Sequence, residues 1–137
     1  MPDARLVARI FDAVARQVHT SAASLDLPPG QWAILRHVNQ HNQYGRTAEQ
    51  IAAYFSERHV AMKQTLASLE RKRLLVSDSA IEASNSRYVL TAAGEEKLGD
   101  DPIEYATRAI EKMSAADQAE FCRLLEIMLA ALAKADD

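Results

Sequence analysis

The sequence predicts a mostly α-helical fold carrying one small β-hairpin, and three observations predict it. Apolar residues recur at three- and four-residue spacing through most of the chain. Two short strand-like runs, LLVSD and RYVLT, follow one another with only the polar stretch SAIEASNS between them. Punctuation such as LPPG at 27–30 and HNQYGR at 41–46 divides the rest into helices of ordinary length. With 137 residues, 48% of them apolar, the chain is long enough for one domain with a proper core and too short for two independent ones.

The elements follow in order. Leu6, Val7, Ile10, Phe11, Val14 and Val18 mark a first helix with one apolar stripe, and LPPG reads as a stop and turn. QWAILRHVNQH is a second helix with Trp32, Leu35 and Val38 inward, and HNQYGR is its exit loop. Thr47 and Gln50 fit a capping box opening a short third helix, whose Ala48, Ile51, Ala52 and Phe55 face inward. A fourth helix spans 58–72 with Met62, Leu66 and Leu69 on one side, and the hairpin follows it. Beyond Thr91 and Gly94 the chain is helical again. Asp101, Pro102 and Glu104 form a helix-start signal with Asp101 as the cap, either beginning a new helix or kinking one that starts near Ala92. A second start at Ser114 to Asp117 opens a final helix striped by Phe121, Leu124, Leu125, Met128, Leu129 and Leu132.

Composition excludes several classes. No apolar run approaches the roughly 18 residues of a membrane span, and Asp3 and Asp12 argue against a transit peptide, so a soluble cytoplasmic protein is expected. Cys122 is the only cysteine; it has no disulfide partner or metal-binding cluster and is expected to be a buried, inert thiol in the last apolar stripe, with a redox sensor as the alternative. There is no GxSxG, phosphate-binding glycine loop or paired-carboxylate motif, so neither catalysis nor a cofactor is expected. His37 and His41 stand at metal-binding spacing, but the Glu of a zinc-protease motif is missing, leaving a regulatory metal site or ordinary helix-end histidines.

Charge is segregated. The net charge is −3, yet residues 36–91 carry eight Lys or Arg against five acids and hold three of the four histidines, whereas 92–137 carry eleven acids against five basic residues. Between Arg58 and Arg73 one acid stands among five basic residues. The middle third is therefore the part suited to a polyanion.

Pattern sharpens that reading. Two short helices joined by a tight turn and followed by a hairpin make a helix-turn-helix with a wing, in which the second helix enters the DNA major groove. With Met62 at zero on a helical wheel, Leu66 and Leu69 fall within about 40° of it, while Val60, Gln64, Ala67 and Arg71 fall between about 140° and 200° and Lys63 near 100°. The outward set has a Gln for adenine, a Lys for guanine or phosphate, and small apolar groups for thymine methyls. His59, Val60, Lys63 and Gln64 are expected nearest the bases, with Arg71, Lys72 and Arg73 nearer phosphates. In the wing, spanning 79–87, Arg87 beside Asn85 and Ser86 is suited to the backbone or a narrow minor groove.

QWAILRHV, TAEQIAAYF, QTLASLERKRLLV and SRYVLTAAG resemble the MarR family of bacterial winged-helix regulators, in motif detail from about 31 to 94 and in element order over nearly the whole chain. The resemblance implies a homodimer whose first and last helices interlock, DNA binding, and release by a small-molecule effector held between dimer lobe and winged helix. Residues 30–94 would form the DNA-binding lobe, and 1–29 with 95–137 the dimerisation lobe of a single domain. The dimer contacts would be Leu6, Ile10, Phe11, Val14, Phe121, Leu124, Leu125, Met128, Leu129 and Leu132. Trp32 is better placed for the core than for stacking on an effector, and Tyr54, Phe55 and Arg16 carry no clearer mark.

Departures from the family pattern stand at defined positions. Asn85-Ser86-Arg87 keeps the wing Arg and lacks the acid that usually braces it; Lys63 and Gln64 replace a Ser-Arg pair; Arg73 replaces a glycine; and Arg58 replaces a capping Ser or Asp, with Ser56 available one turn earlier. The reading from another class is a winged helix that binds protein and has given up DNA, which the sequence pI near 5.8 favours slightly.

Overall fold

The computed structural model describes residues 1–20, 26–55, 57–78 and 86–135, with His59 and Ala135 described in their backbone only. Two compact units divide at Asp101, Met1–Asp101 and Pro102–Asp137. In the first, α1 (Ala4–Val18) is capped by Asp3, whose carboxylate accepts from the Leu6 amide at 2.8 Å. None of its residues is buried, and Leu6, Val7, Ile10, Phe11 and Val14 all lie exposed.

The second helix starts earlier than the sequence suggested. Pro29 and Gly30 belong to α2 (Pro29–Gln40), with Pro28 as its N-cap, so LPPG opens a helix rather than standing wholly as a turn. A proline at the first helical position has its φ preset and lacks only an amide that would go unpaired there. Trp32, Leu35 and Val38 are fully buried, as their spacing predicts, and Trp32 is a core residue.

The exit loop ends at Gly45, whose φ of +72° and proximity to the Arg87 Cβ, 3.0 Å from where a side chain would begin, require glycine. A strand not expected from the sequence follows. β1 (Arg46–Thr47) is only two residues long and leads directly into α3 (Ala48–Phe55). The capping box forms as read: the Thr47 hydroxyl accepts from the Gln50 amide at 3.1 Å, and the Gln50 carbonyl accepts from the Thr47 amide at 3.0 Å. Helix α4 (His59–Arg71) comes next, then β2 (Leu75–Ser77) and β3 (Arg87–Leu90). The sheet is antiparallel in the order β1-β3-β2, with Thr47 opposite Arg87 and Leu75 opposite Leu90.

Thr91 caps α5 (Ala92–Lys97), its hydroxyl accepting from the Gly94 amide at 3.0 Å. A Cβ at Gly94 would collide with the Leu74 carbonyl, so glycine is what lets α5 seat against the end of the α4–β2 connection. A 3-10 turn, Leu98–Asp100, closes the unit. Its core joins α2, α3, α4 and the sheet through Trp32, Leu35, Val38, Ile51, Met62, Leu66, Leu69, Leu75 and Leu90.

In the second unit, α6 (Ile103–Glu111) and α7 (Ala115–Ala135) are separate helices, so Pro102 begins a new helix instead of kinking one from Ala92. Pro102 rather than Asp101 is the N-cap residue. The Asp101 carboxylate is instead drawn to Arg36, accepting from Nε at 2.6 Å, and Asp101 is buried. The later start holds, since the Ser114 hydroxyl accepts from the Asp117 amide at 3.1 Å. On α7, Leu124, Met128, Leu129 and Leu132 are exposed and Phe121 and Leu125 half-buried. Cys122 is exposed, not buried as expected, as are most of the stripe residues around it; its thiol donates to Glu126 at 3.5 Å. That neighbouring carboxylate raises the thiol pKa, which disfavours the reactive thiolate. Among the described residues, no helix is long and apolar enough to cross a membrane.

Candidate nucleic-acid interface

Helix α4 has one sealed side and one open side. Met62, Leu66 and Leu69 are each fully buried, and burial of such side chains stabilises by roughly 1.5–3 kcal/mol apiece. They fix the rotation of the helix about its axis. Val60, Lys63, Gln64 and Arg71 are all exposed as a result, and Ala67 is half-buried at the margin. Val60 is 69% exposed, an apolar side chain held in solvent that nothing in the first unit covers. His59 opens the helix, but its side chain lies outside the described residues.

Both ends of α4 are held in unusual ways. At the N-terminus the cap is Arg58, which makes no side-chain cap bond; Ser56 lies outside the described residues. At the C-terminus the Arg73 amide donates to Glu70 at 2.9 Å and the Leu74 amide to Leu69 at 3.1 Å. That pair of bonds is the Schellman closure, and the accompanying apolar contact is supplied by Leu74 and Leu69, both buried. The residue at its left-handed position is Arg73, with φ +62° where glycine is favoured.

Arg71, Lys72 and Arg73 are all exposed, and the Lys72 ammonium also donates to Gln31 at 2.7 Å, which in turn donates to Ser68 at 3.2 Å. Through this bond Lys72 braces α4 to α2. Sequence spacing missed this because Gln31 lies 41 residues away and carries no mark of burial.

Arg87 is the first residue of β3, at the root of the hairpin and not in its tip. Its guanidinium donates to the Tyr44 carbonyl at 3.2 Å, so a backbone carbonyl from the α2 exit loop holds it in place of a wing acid. Arg87 stays exposed, and Ser86 beside it is buried. Asn85 and the rest of the expected tip, 79–85, lie outside the described residues.

A second feature lies between α2 and α3. His37 is 3% exposed, stacks on Tyr54 with ring centroids 4.1 Å apart, meets Phe55 edge-on at 5.6 Å, and lies 4.8 Å from the His41 ring. Among the described residues neither ring nitrogen has a hydrogen-bond partner. Burial lowers its pKa below 6.5, and the Arg46 charge and His41 lower it further. A pocket of about 160 Å³ opens beside it, lined by Ala33, Arg36, His37, Gln40, Tyr54 and Phe55. The described residues contain no group of three potential metal ligands, and the cation at Arg46 opposes a metal at the histidine pair.

No family model and no curated protein matches the sequence. Solved structures do. A Staphylococcus aureus MepR–DNA complex superposes with a TM-score of 0.75 at 19% identity, over 95% of this chain and 96% of that one. MepR itself, the regulator of the multidrug efflux pump MepA, gives 0.70 at 19% identity over 96% and 99%. Staphylococcus aureus MarR in complex with salicylate and kanamycin gives 0.74 at 18% identity over 93% and 87%.

The chain has the winged-helix fold of MepR and MarR. At this identity the likeness is one of fold, and it assigns the parts. In the winged helix, α3 and α4 are the helix-turn-helix pair, β2 and β3 form the wing, and β1 ties the start of α3 to the wing through β3.

Proposed function

We propose that the chain is a homodimeric, sequence-specific DNA-binding transcriptional regulator, acting as a repressor and having no enzymatic activity. One observation carries the reading: α4 seals Met62, Leu66 and Leu69 and leaves Val60, Lys63 and Gln64 exposed. A helix with that division can enter a major groove without unfolding or steric conflict. Arg71 and Arg73 at its far end and Arg87 at the wing root supply phosphate contacts, which set register without reading sequence. The solved MepR–DNA complex on the same fold supports this use of the helix.

The apolar stripes of α1 and α7 support a second copy as partner. Leu6, Ile10, Phe11 and Val14 on one, and Phe121, Leu124, Leu125, Met128, Leu129 and Leu132 on the other, give each helix an apolar face of the kind that buries in interfaces. A two-fold pair would set two reading helices about 34–36 Å apart, one helical turn of DNA. Release by a small effector extends the proposal; salicylate, bound by the solved MarR, is the first compound to test for lowering duplex affinity.

Selection of a duplex from a random pool by the purified protein tests the whole reading. The recovered site should be a near-palindrome with half-sites about 10 base pairs apart. On it, Lys63→Ala and Gln64→Ala should each cost about 1–3 kcal/mol and relax sequence choice, while Arg71→Ala should weaken all duplexes alike and reduce the salt slope by about one. If no duplex binds at any salt concentration, the protein-binding module replaces this reading. If all three variants bind as the parent does, α4 does not read DNA.

A further inference from the structure

The winged helix holds one titratable ring for which DNA reading has no use. We propose that His37 is an acid-release latch: a proton taken up by this ring opens the seam between α2 and α3 and weakens duplex binding. The inference rests on the proposed DNA-binding function for its consequence, though not for the latch itself.

The groups around the ring come from each element packed on it. From α2 there are His41, 4.8 Å away between ring centroids, and Arg36, which lines the same pocket and is held by Asp101. From α3 there are Tyr54 and Phe55, and from β1 the Arg46 charge, with its Nε likewise buried and unpartnered. Among the described residues the charges that act on the ring are those of Arg46 and His41, and both act against its proton, as does burial. A neutral imidazole tolerates this setting, where it is a flat face stacked on Tyr54. An imidazolium has two N–H donors and a charge, and in the closed seam neither ring nitrogen meets an acceptor among the described residues.

The seam has a soft side. Tyr54 is 62% exposed, so its ring can leave His37 with little loss of burial, and the adjoining pocket then admits water to the imidazolium. Phe55, beside Tyr54, packs on the core that α4 shares. Displacing the end of α3 therefore disturbs the helix on which α4 rests. Because the closed form binds the proton less well than the opened one, the closed form is undisturbed above pH 6.5 and loses ground as pH falls below it. Each unit by which the ring's pKa lies under its ordinary value gives about a tenfold shift toward the open seam.

The test uses the full chain in a His59→Gln background, since a proton on His59 at the start of α4 would act on DNA with the opposite sign. Duplex affinity is measured from pH 8 to pH 5 at constant ionic strength, with and without His37→Phe, which keeps a stacked ring and cannot titrate. The parent should lose more affinity than His37→Phe between pH 7.5 and 5.5, with about tenfold as the ceiling for one ring whose ordinary pKa is 6.5. Parallel curves overturn the latch. Two readouts need no DNA. The unfolding midpoint should fall more steeply with acid in the parent than in His37→Phe, and the His37 ring signals in the NMR spectrum of the unsubstituted protein should titrate below pH 6.5. A ring that titrates at or above 6.5 overturns the proposal even if the variant does not fold. Loss of duplex binding at every pH, with these two results intact, removes the regulator reading and leaves the latch standing.

Discussion

Replacing Arg73 with glycine should make the protein more stable and its hold on DNA weaker. Arg73 occupies the left-handed position of the Schellman closure at φ +62°, with its amide bonded to Glu70 and its carbonyl accepting from the Thr91 hydroxyl at 2.7 Å. The conformation is thus fixed from both sides and cannot relax away from the clash between Cβ and the backbone. That clash costs about 1–2 kcal/mol in a residue with a side chain. Glycine removes it but adds about 0.4–1 kcal/mol of chain entropy to the unfolded state. The net is a gain of about 0.8 kcal/mol at the midpoints of the two ranges. Asparagine, which tolerates the left-handed region without glycine's freedom, should gain at least as much.

Alanine is the control that separates strain from charge. Arg73→Ala keeps the Cβ clash and removes the guanidinium, so its stability should match the parent's. Thermal unfolding resolves the series, since about 1 kcal/mol shifts the midpoint of a domain of this size by roughly 3–5 °C. In duplex binding, Gly, Asn and Ala should behave alike: each removes one phosphate contact and lowers the slope of log K against log salt by about 0.9. If Arg73→Gly proves less stable than Arg73→Ala, the left-handed closure at the end of α4 is wrong. If the glycine variant binds duplexes with an unchanged salt slope, Arg73 does not face phosphate.

Two further outcomes follow from the same region. Arg58→Ser should stabilise the protein by about 1 kcal/mol, because it supplies the side-chain oxygen that α4 lacks at its N-cap; an unchanged denaturation midpoint would show that the amides of the first turn are already paired. Gly94→Ala should destabilise by about 1–3 kcal/mol or more, since its Cβ would meet the Leu74 carbonyl, a backbone atom that cannot swing aside; a midpoint within experimental error of the parent's would mean that α5 does not seat against Leu74.

How much of this was legible in the sequence depended on whether a feature was local. The capping box at Thr47 and Gln50, the cap at Ser114 and the wheel of α4 each involve residues within about one turn or two, and all three form as read. What escaped needed a partner far along the chain. β1 is a two-residue strand defined only by pairing with β3 some 40 positions later, so neither its length nor its composition announces it. Asp101 looks like a helix cap because Pro102 and Glu104 follow it; its preference for Arg36, 65 residues away, is a matter of tertiary placement. Lys72 stands in a basic run, and nothing in that run marks its bond to Gln31, 41 residues away. The burial of His37 had the same origin. Its spacing from His41 suggested polar helix-end residues or metal ligands, whereas Tyr54 and Phe55 from another helix enclose it.

The charge that an acidic chain concentrates around α4 can now be related to the cost of placing it there. Helix N-termini favour an oxygen-bearing side chain at the cap and disfavour a cation near the positive end of the helix dipole, yet Arg58 stands at that position without a cap bond. Helix C-termini closed by this motif favour glycine, yet Arg73 holds a strained φ. At each end, the residue that would stabilise the helix is uncharged or acidic, and the residue present is an arginine. Packing does not explain either choice, because both side chains are exposed and neither adds to the core. Fold stability alone would select against both. A partner that presents phosphates beyond each end of the helix reverses the balance, since a charge-assisted contact contributes more than the roughly 1 kcal/mol each arginine costs. If no polyanion binds here, Arg58→Ser and Arg73→Gly combined should improve stability with no loss of function. If one does, the same double variant should be the more stable protein and the poorer binder.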